Sequence, residues 1–228
     1  MNVELVSVTQ SLVKEEKLTP EELIVYIARV SNPSNQLNKE TSDKLIAYLV
    51  RNKHWSPFEM VDMTVEIITS RAIAQQILRH RSFSFQEFSQ RYAKALVMEP
   101  VQLRKQAEKN RQSSTDEFDP VLTYEETIQD EPVNFLKSAS EAIDDHLKEG
   151  RELYKRLLDA GAAKECARMI LPLTTQTRIY MKGSVRSWIH YLQIRCDKHT
   201  QLEHRLIANE IRGIFHTQFP NISKGLEL

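Results

Sequence analysis

The residues best equipped for chemistry lie in one stretch: Arg79-His80-Arg81-Ser82-Phe83-Ser84-Phe85-Gln86-Glu87-Phe88-Ser89-Gln90-Arg91-Tyr92. Arg79, His80 and Arg81 close a predicted helix; an acid, a hydroxyl, a further arginine and a phenol follow within a few residues. A guanidinium offers a planar fork of donors that clamps a phosphate through paired hydrogen bonds. Glu87 and Ser89 carry groups able to bond ring or sugar hydroxyls. The same residues also suit a solvated helix end whose cations complement the C-terminal dipole. On residue type and spacing alone both readings stay open.

Other reactive side chains are scattered. Ser89 stands among basic residues without a Ser-His-acid spacing, so it reads as a ligand contact rather than a nucleophile. Cys166, in an apolar helical stretch, and Cys196 both read as buried structural cysteines rather than nucleophiles, although the basic neighbour of Cys196, Arg195, is of the kind that favours a thiolate. His190, His199 and His204 raise the question of a metal, but His199 and His204 lie five residues apart, off a common helix face, and no HExxH is present. No metal site is expected, and His199 is expected to bond Glu203. Trp188, Leu192, Leu202 and Leu206 read as core, and Gln75 as a solvated or interface side chain.

These side chains need elements to position them. Val3–Thr9 alternates weakly, as an edge strand would. Thr19-Pro20-Glu21-Glu22 carries a cap, a proline at the first helical position and an acid at N3, so a helix runs to about Val30. A second helix is predicted over about Thr41–Asn52, burying Leu45, Ile46, Leu49 and Val50. Val61, Met63, Val65 and Ile67 share one face of a strand whose other face carries Asp62, Thr64 and Glu66. That strand feeds a helix over Arg71–His80, capped by Thr69 or Ser70. The polar stretch from about 105 to 131 lacks a sustained apolar period and reads as a long, partly mobile surface insertion. A helix then spans about Pro132–Asp159, stopped by Gly161, and a short one spans Lys164–Ile170, ending before Pro172. Thr174–Met181 reads as a strand. Helices over about Ser184–Ile194 and about Lys198–Gln218, the second capped by Asp197, complete the chain. The order of elements predicts an α+β fold, a small, mainly antiparallel sheet flanked by many helices. The 228 residues read as a single domain carrying the insertion at about 105–131.

Composition narrows the partners. Thirty-one basic residues balance 31 acidic ones, so no net charge draws the chain to nucleic acid or an anionic membrane, although a local patch can still hold a phosphate. No apolar run approaches the ~20 residues needed to cross a bilayer. Two cysteines outside any CxxC pair suit a reduced, cytoplasmic setting. Only 5 glycines are present, with no GxGxxG or P-loop pattern, so a nucleotide must be held mainly by side chains and helix ends.

The pattern Arg79-His80-Arg81, seven residues, then Ser89 is similar to the signature of flavin-dependent thymidylate synthases, and the match continues through Glu87, Arg91 and Tyr92. Further pieces follow in that family's order: Ala28-Arg29-Val30-Ser31, Ser56-Pro57-Phe58-Glu59, Ala167-Arg168-Met169-Ile170-Leu171-Pro172-Leu173, Arg186-Ser187, then Arg195 with His199, Gln201 and Glu203. The resemblance spans about residues 25–205. It implies a homotetramer with shared active sites that makes dTMP from dUMP by reductive methylation. FAD is the implied cofactor, with 5,10-methylenetetrahydrofolate as carbon donor and NADPH as reductant. Carried over residue by residue, the implied dUMP contacts are Gln76, Arg79, Glu87, Ser89, Arg91, Arg168 and Arg195. The implied FAD contacts are Ser31, Arg79, His80, Arg81, Glu87, Arg186 and His190, with Asp62 as a further candidate. Arg195 is the implied catalytic residue, a fixed cation that favours an anionic pyrimidine.

The chain departs from the family's usual residues at three points. Met60 stands where His often follows Phe-Glu, which loses a polar group or moves its role, with His54 a candidate; Gln86 and Ser184 replace asparagines and alter reach. Two other functions fit the arginine cluster: a helical nucleic-acid-binding protein, and an assembly protein with intersubunit ion pairs. Bound flavin separates both from the enzyme.

Overall fold

The computed structural model describes residues 1–14, 16–128 and 131–226. In chain order it contains β1 (Asn2–Val8), α1 (Pro20–Ala28), α2 (Ser42–Arg51), β2 (Asp62–Ser70), α3 (Arg71–Ile77), β3 (Ser84–Glu87), β4 (Arg104–Gln106), β5 (Ser114–Glu117), β6 (Val121–Ile128) and β7 (Glu131–Ser138). There follow α4 (Ala139–Asp159), α5 (Lys164–Ala167), β8 (Gln176–Ser184), α6 (Val185–Arg195), α7 (Leu202–Gln218) and α8 (Pro220–Leu226). The class is α+β, as expected. Two compact units are formed, one of Met1–Ile68, Ile73–Glu87 and Arg178–Leu228, the other of Thr69–Ala72 and Phe88–Thr177.

In the first unit the sheet runs β1-β2-β8-β3, with β1 antiparallel to β2 and β3 antiparallel to β8. Alternation puts Met63, Val65 and Ile67 of β2, and Ile179 and Met181 of β8, into a fully buried face. Trp188, Tyr191, Leu192, Ile207, Ile211 and Phe215 of α6 and α7 help complete that core. Thr19 caps α1 with a complete capping box, its side chain accepting from the Glu22 N–H while Glu22 reaches back to the Thr19 N–H. Leu45 packs on the core only partly buried, and Leu206, expected inside, is 44% exposed because it turns to the outer side of α7.

Several boundaries move once pairing partners are present. Helix α3 stops at Ile77 rather than His80, and a turn carries Arg79, His80 and Arg81 into β3, a strand that no local pattern announced. Strand β3 exists because Ser84, Phe85, Gln86 and Glu87 find Lys182, Met181, Tyr180 and Ile179 across the ladder. Phe83 anchors the turn, its ring 4.7 Å from Trp188 and 5.9 Å from Tyr191. A Cβ on Gly183 would lie 2.5 Å from that ring, so this close approach requires glycine. Helix α7 starts at Leu202, with Gln201 at the cap. Asp197, expected to cap it, instead accepts from the His199 N–H at 2.8 Å and pairs with the His199 ring at 2.6 Å.

In the second unit the stretch read as an insertion without elements holds β4–β5 and most of a β6–β7 hairpin. The helix expected from Pro132 begins only at Ala139, because Val133 to Ser138 pair with β6 and Tyr124 stacks on Phe135 at 5.3 Å. Ser138 and Glu141 form a complete capping box, the local signal that marks the true start of α4. Cys166, expected buried, is exposed on α5.

Candidate active site

The turn after α3 presents two exposed guanidiniums, Arg79 and Arg81, that make no hydrogen bond or ion pair with another described residue. His80, between them, points the other way. Its ring lies 4.9 Å from the Tyr191 ring, and its Nε2 accepts a 2.9 Å hydrogen bond from Nε of Arg195, the last residue of α6. A guanidinium only donates, so His80 must be neutral and carry its proton on Nδ1. Burial pushes the His80 pKa down to about 4, helped by the positive charge of Arg195 and by His190. The bond uses the Arg195 Nε, leaving both terminal nitrogens of its fork for another acceptor.

Behind this pair runs a polar chain. Tyr191 Oη lies 3.0 Å from His204 Nε2, His204 Nδ1 lies 3.3 Å from Gln76 Oε1, and Gln76 Nε2 donates to Gln201 Oε1 at 2.6 Å. Gln201 in turn donates to Glu203 at 2.9 Å. Tyr191 and His204 are fully buried. Burial raises the Tyr191 pKa above the usual phenol range and drives the His204 pKa down to about 3, with Arg195 and His80 adding to the latter shift. Gln76 was singled out in the sequence; Tyr191 was not, and His204 appeared only as a discarded metal candidate. The signal that could have found them is the i,i+4 placement of Tyr191 and Arg195 on α6, which sets both along one face.

A second grouping surrounds a cavity of about 380 Å³ lined by Trp55, Glu59, Ser82, Arg186, Ser187, Ile189, His190 and Gln193. Arg186 is held by Glu59 at 2.8 Å, and Ser184, the N-cap of α6, donates to the same carboxylate at 2.5 Å. Ser187 donates to the Ser82 carbonyl at 3.1 Å, joining α6 to the His80 turn. An indole, a cation, an exposed imidazole and two hydroxyls around an open cavity match part of a flavin nucleotide, whose ring stacks and whose phosphates and sugars need donors. Met60 is 57% exposed beside this loop, and Glu59 takes the polar contacts there.

Asp62 lies on the polar face of β2, paired with Lys182 at 2.9 Å. Ser31 is exposed after α1. Glu87 ends β3 opposite Ile179. Ser89, Arg91 and Arg168 belong to the second unit: the Glu165 carboxylate lies 3.7 Å from Arg91 Nε, the Glu165 carbonyl accepts from Arg168 Nε at 3.4 Å, and Ser89 Oγ accepts from the Arg91 N–H at 3.4 Å. Among the described residues no group of three or more His, Cys, Asp or Glu is placed to hold a metal ion. No helix among them is long and apolar enough to cross a membrane.

A family model described as thymidylate synthase complementing protein matches residues 11–221. The chain is 50% identical to a flavin-dependent thymidylate synthase of Synechocystis sp., over all of both chains. The chain belongs to the flavin-dependent thymidylate synthase family. It is also 47% identical to a probable flavin-dependent thymidylate synthase of Paramecium bursaria Chlorella virus 1, over 100% of this chain and 99% of that one. Among solved structures, a UMP/dUMP methylase PolB from Streptomyces cacaoi bound with 5-Br dUMP superposes with a TM-score of 0.73 at 25% identity, covering 99% of this chain and 94% of that one.

Proposed function

We propose that this protein makes dTMP from dUMP by reductive methylation, with Arg195 activating the pyrimidine. The observation that carries this reading is the Arg195–His80 bond, which fixes a permanent cation with both terminal nitrogens available beside two exposed arginines. The overall conversion is dUMP, methylenetetrahydrofolate, NADPH and a proton to dTMP, tetrahydrofolate and NADP⁺. FAD, when bound, supplies the hydride that takes the transferred carbon to the methyl level.

The chain's own residues bind, orient and polarise. Arg195 places positive charge at the pyrimidine edge, which favours the anionic ring and so raises electron density at carbon 5. Neutral His80 holds the guanidinium plane through its Nε2. In the first unit Gln76, Arg79 and Glu87 are the proposed dUMP contacts beside Arg195; in the second unit Ser89, Arg91 and Arg168 are. Arg186 and His190, with Ser31, Arg79, His80, Arg81, Glu87 and Asp62, are the proposed FAD contacts. Arg186 and His190 line the cavity of about 380 Å³. Of this set, Asp62 pairs with Lys182 at 2.9 Å and Arg186 with Glu59 at 2.8 Å. The active sites are proposed to be shared between subunits of a homotetramer, in the cytoplasm.

The test is direct. Protein loaded with FAD and given NADPH, dUMP and methylenetetrahydrofolate under anaerobic conditions should yield dTMP and tetrahydrofolate, resolved by chromatography. Flavin-loaded protein that yields neither would overturn the assignment.

A further inference from the structure

Ser56-Pro57-Phe58-Glu59 forms a single 3₁₀ turn just before β2. Pro57 supplies a fixed φ inside the turn, and the fully buried Phe58, its ring 5.7 Å from Trp55, anchors it to the core. Glu59, the last residue of the turn, uses both carboxylate oxygens at the start of α6. Its Oε1 accepts from Arg186 Nη1 at 2.8 Å, and its Oε2 accepts from Ser184 Oγ at 2.5 Å. A guanidinium only donates and a carboxylate only accepts, so each contact has one direction. Ser184 also caps α6, its oxygen accepting the Ser187 N–H at 3.3 Å, so the carboxylate is held by a residue that is itself fixed. Arg186 thus commits one terminal nitrogen to Glu59, while its Nε and other terminal nitrogen make no hydrogen bond to another described residue. Both side chains line the cavity of about 380 Å³, with Trp55 and Ile189 among its walls.

We propose that Glu59 is a positioning residue: by tying Arg186 to the Ser184 cap, it holds the guanidinium at the cavity, ready for the phosphate-bearing part of FAD. This rests on the function proposed above and deepens it. An arginine on a helix surface samples many rotamers, and clamping a ligand removes that freedom; ordering the side chain beforehand takes the loss out of binding. Arg186 stands in the first turn of an eleven-residue helix, where the dipole also favours an anion. Phosphate is the matching class, while Trp55 and Ile189 offer apolar surface to the ring. The carboxylate has a second, opposite effect, because its charge repels the same anion. The Arg186 and Glu59 side chains are 52% and 42% exposed, so water and salt screen that repulsion, whereas the hydrogen-bonded geometry persists. Orientation therefore outweighs charge, and the two effects differ in sign.

Titration of the full chain, freed of flavin, with FAD and with riboflavin tests this. Riboflavin carries the same ring and no phosphate. Glu59→Gln removes the charge and one of the two acceptors; it should weaken FAD about tenfold and leave riboflavin within about twofold. Glu59→Asp keeps the charge but is too short to reach Arg186 and Ser184 together, so it should also weaken FAD, which charge alone does not predict. Arg186→Ala should weaken FAD at least as much, and adding Glu59→Gln to it should lose nothing further, because the tether then has nothing to hold. Equal weakening of FAD and riboflavin would make Glu59 merely structural. Tighter FAD binding in Glu59→Gln would make its carboxylate an obstacle, and additive losses would uncouple the pair. Any of these results overturns the proposal. Unchanged FAD binding in Arg186→Ala would instead overturn the placing of Arg186 at the cofactor, whereas weakened FAD in Arg186→Ala with none in Glu59→Gln would overturn only the positioning.

Discussion

Replacing Arg195 by alanine should slow turnover far more than it weakens dUMP. The guanidinium uses Nε on His80 at 2.9 Å and keeps its two terminal nitrogens for the ligand. Its attraction grows as the ring gains negative charge, so it acts on the transition state more than on bound dUMP. Loss of one preorganised donor of this kind costs roughly 10²–10³ in rate, about 3–4 kcal/mol of barrier. Affinity for dUMP should fall only about tenfold, since ground-state contact with a neutral ring is weaker. Arg195→Lys should recover part of the rate, because one ammonium cannot reach His80 and fork onto the pyrimidine together. The histidine offers a second readout. Burial, the larger cause, still holds the His80 pKa down in Arg195→Ala, but the neighbouring cation is gone, so the value should rise above about 4 while staying below the usual histidine range. Single-turnover dTMP formation, dUMP titration and histidine NMR would check all three. A folded, FAD-loaded Arg195→Ala protein that forms dTMP at the wild-type rate would refute the reasoning.

Other outcomes follow from the same geometry. The double change Cys166→Ser and Cys196→Ser should keep turnover within about tenfold, because Cys166 is exposed without an activating partner in the described structure and burial pushes the Cys196 thiol up; complete loss in folded protein would show a nucleophile. Gly183→Ala should destabilise by about 1–3 kcal/mol, read from denaturant midpoints, because its Cβ would meet the Phe83 ring at 2.5 Å. Stability should fall as pH drops from ~6.5, where unfolded histidines begin to protonate, toward about 4, since native His80 and His204 refuse the proton until about 4 and about 3. The sign is that of an unfolded state binding more protons, with a slope of up to about 1.4 kcal/mol per pH unit from buried His204 and less from the only partly buried His80. His204→Gln should flatten that dependence between pH 5 and 7; an unchanged slope would rule the contribution out. Met60→Ala should cost well under the ~2–5 kcal/mol of a buried methionine, since 57% of its surface is exposed.

The sequence by itself determined the chemistry available and the elements whose signals are local. Thr19-Pro20-Glu21-Glu22 contains its whole capping box within four residues, and β2 declares itself through period-two alternation, so neither needs a distant partner to be read. The Arg79–Tyr92 stretch likewise marked where cations gather, and the family resemblance extended along most of the chain. What the tertiary structure decided is everything that depends on a residue far along the chain. Strand β3 forms only because β8, nearly a hundred residues later, offers its ladder, and β7 displaces the expected start of α4 because β6 pairs with it. The division of labour among Arg79, His80 and Arg81 was equally hidden: three adjacent polar side chains look alike in sequence, yet only His80 meets Arg195 and leaves water. Tyr191 drew no reading from the sequence and His204 only that of a discarded metal candidate, since a hydrogen-bond chain that runs from α6 through α7 to α3 has no period and no motif. A pattern along the chain records local geometry; the direction of a proton in a buried bond is set by which donors and acceptors the fold brings face to face.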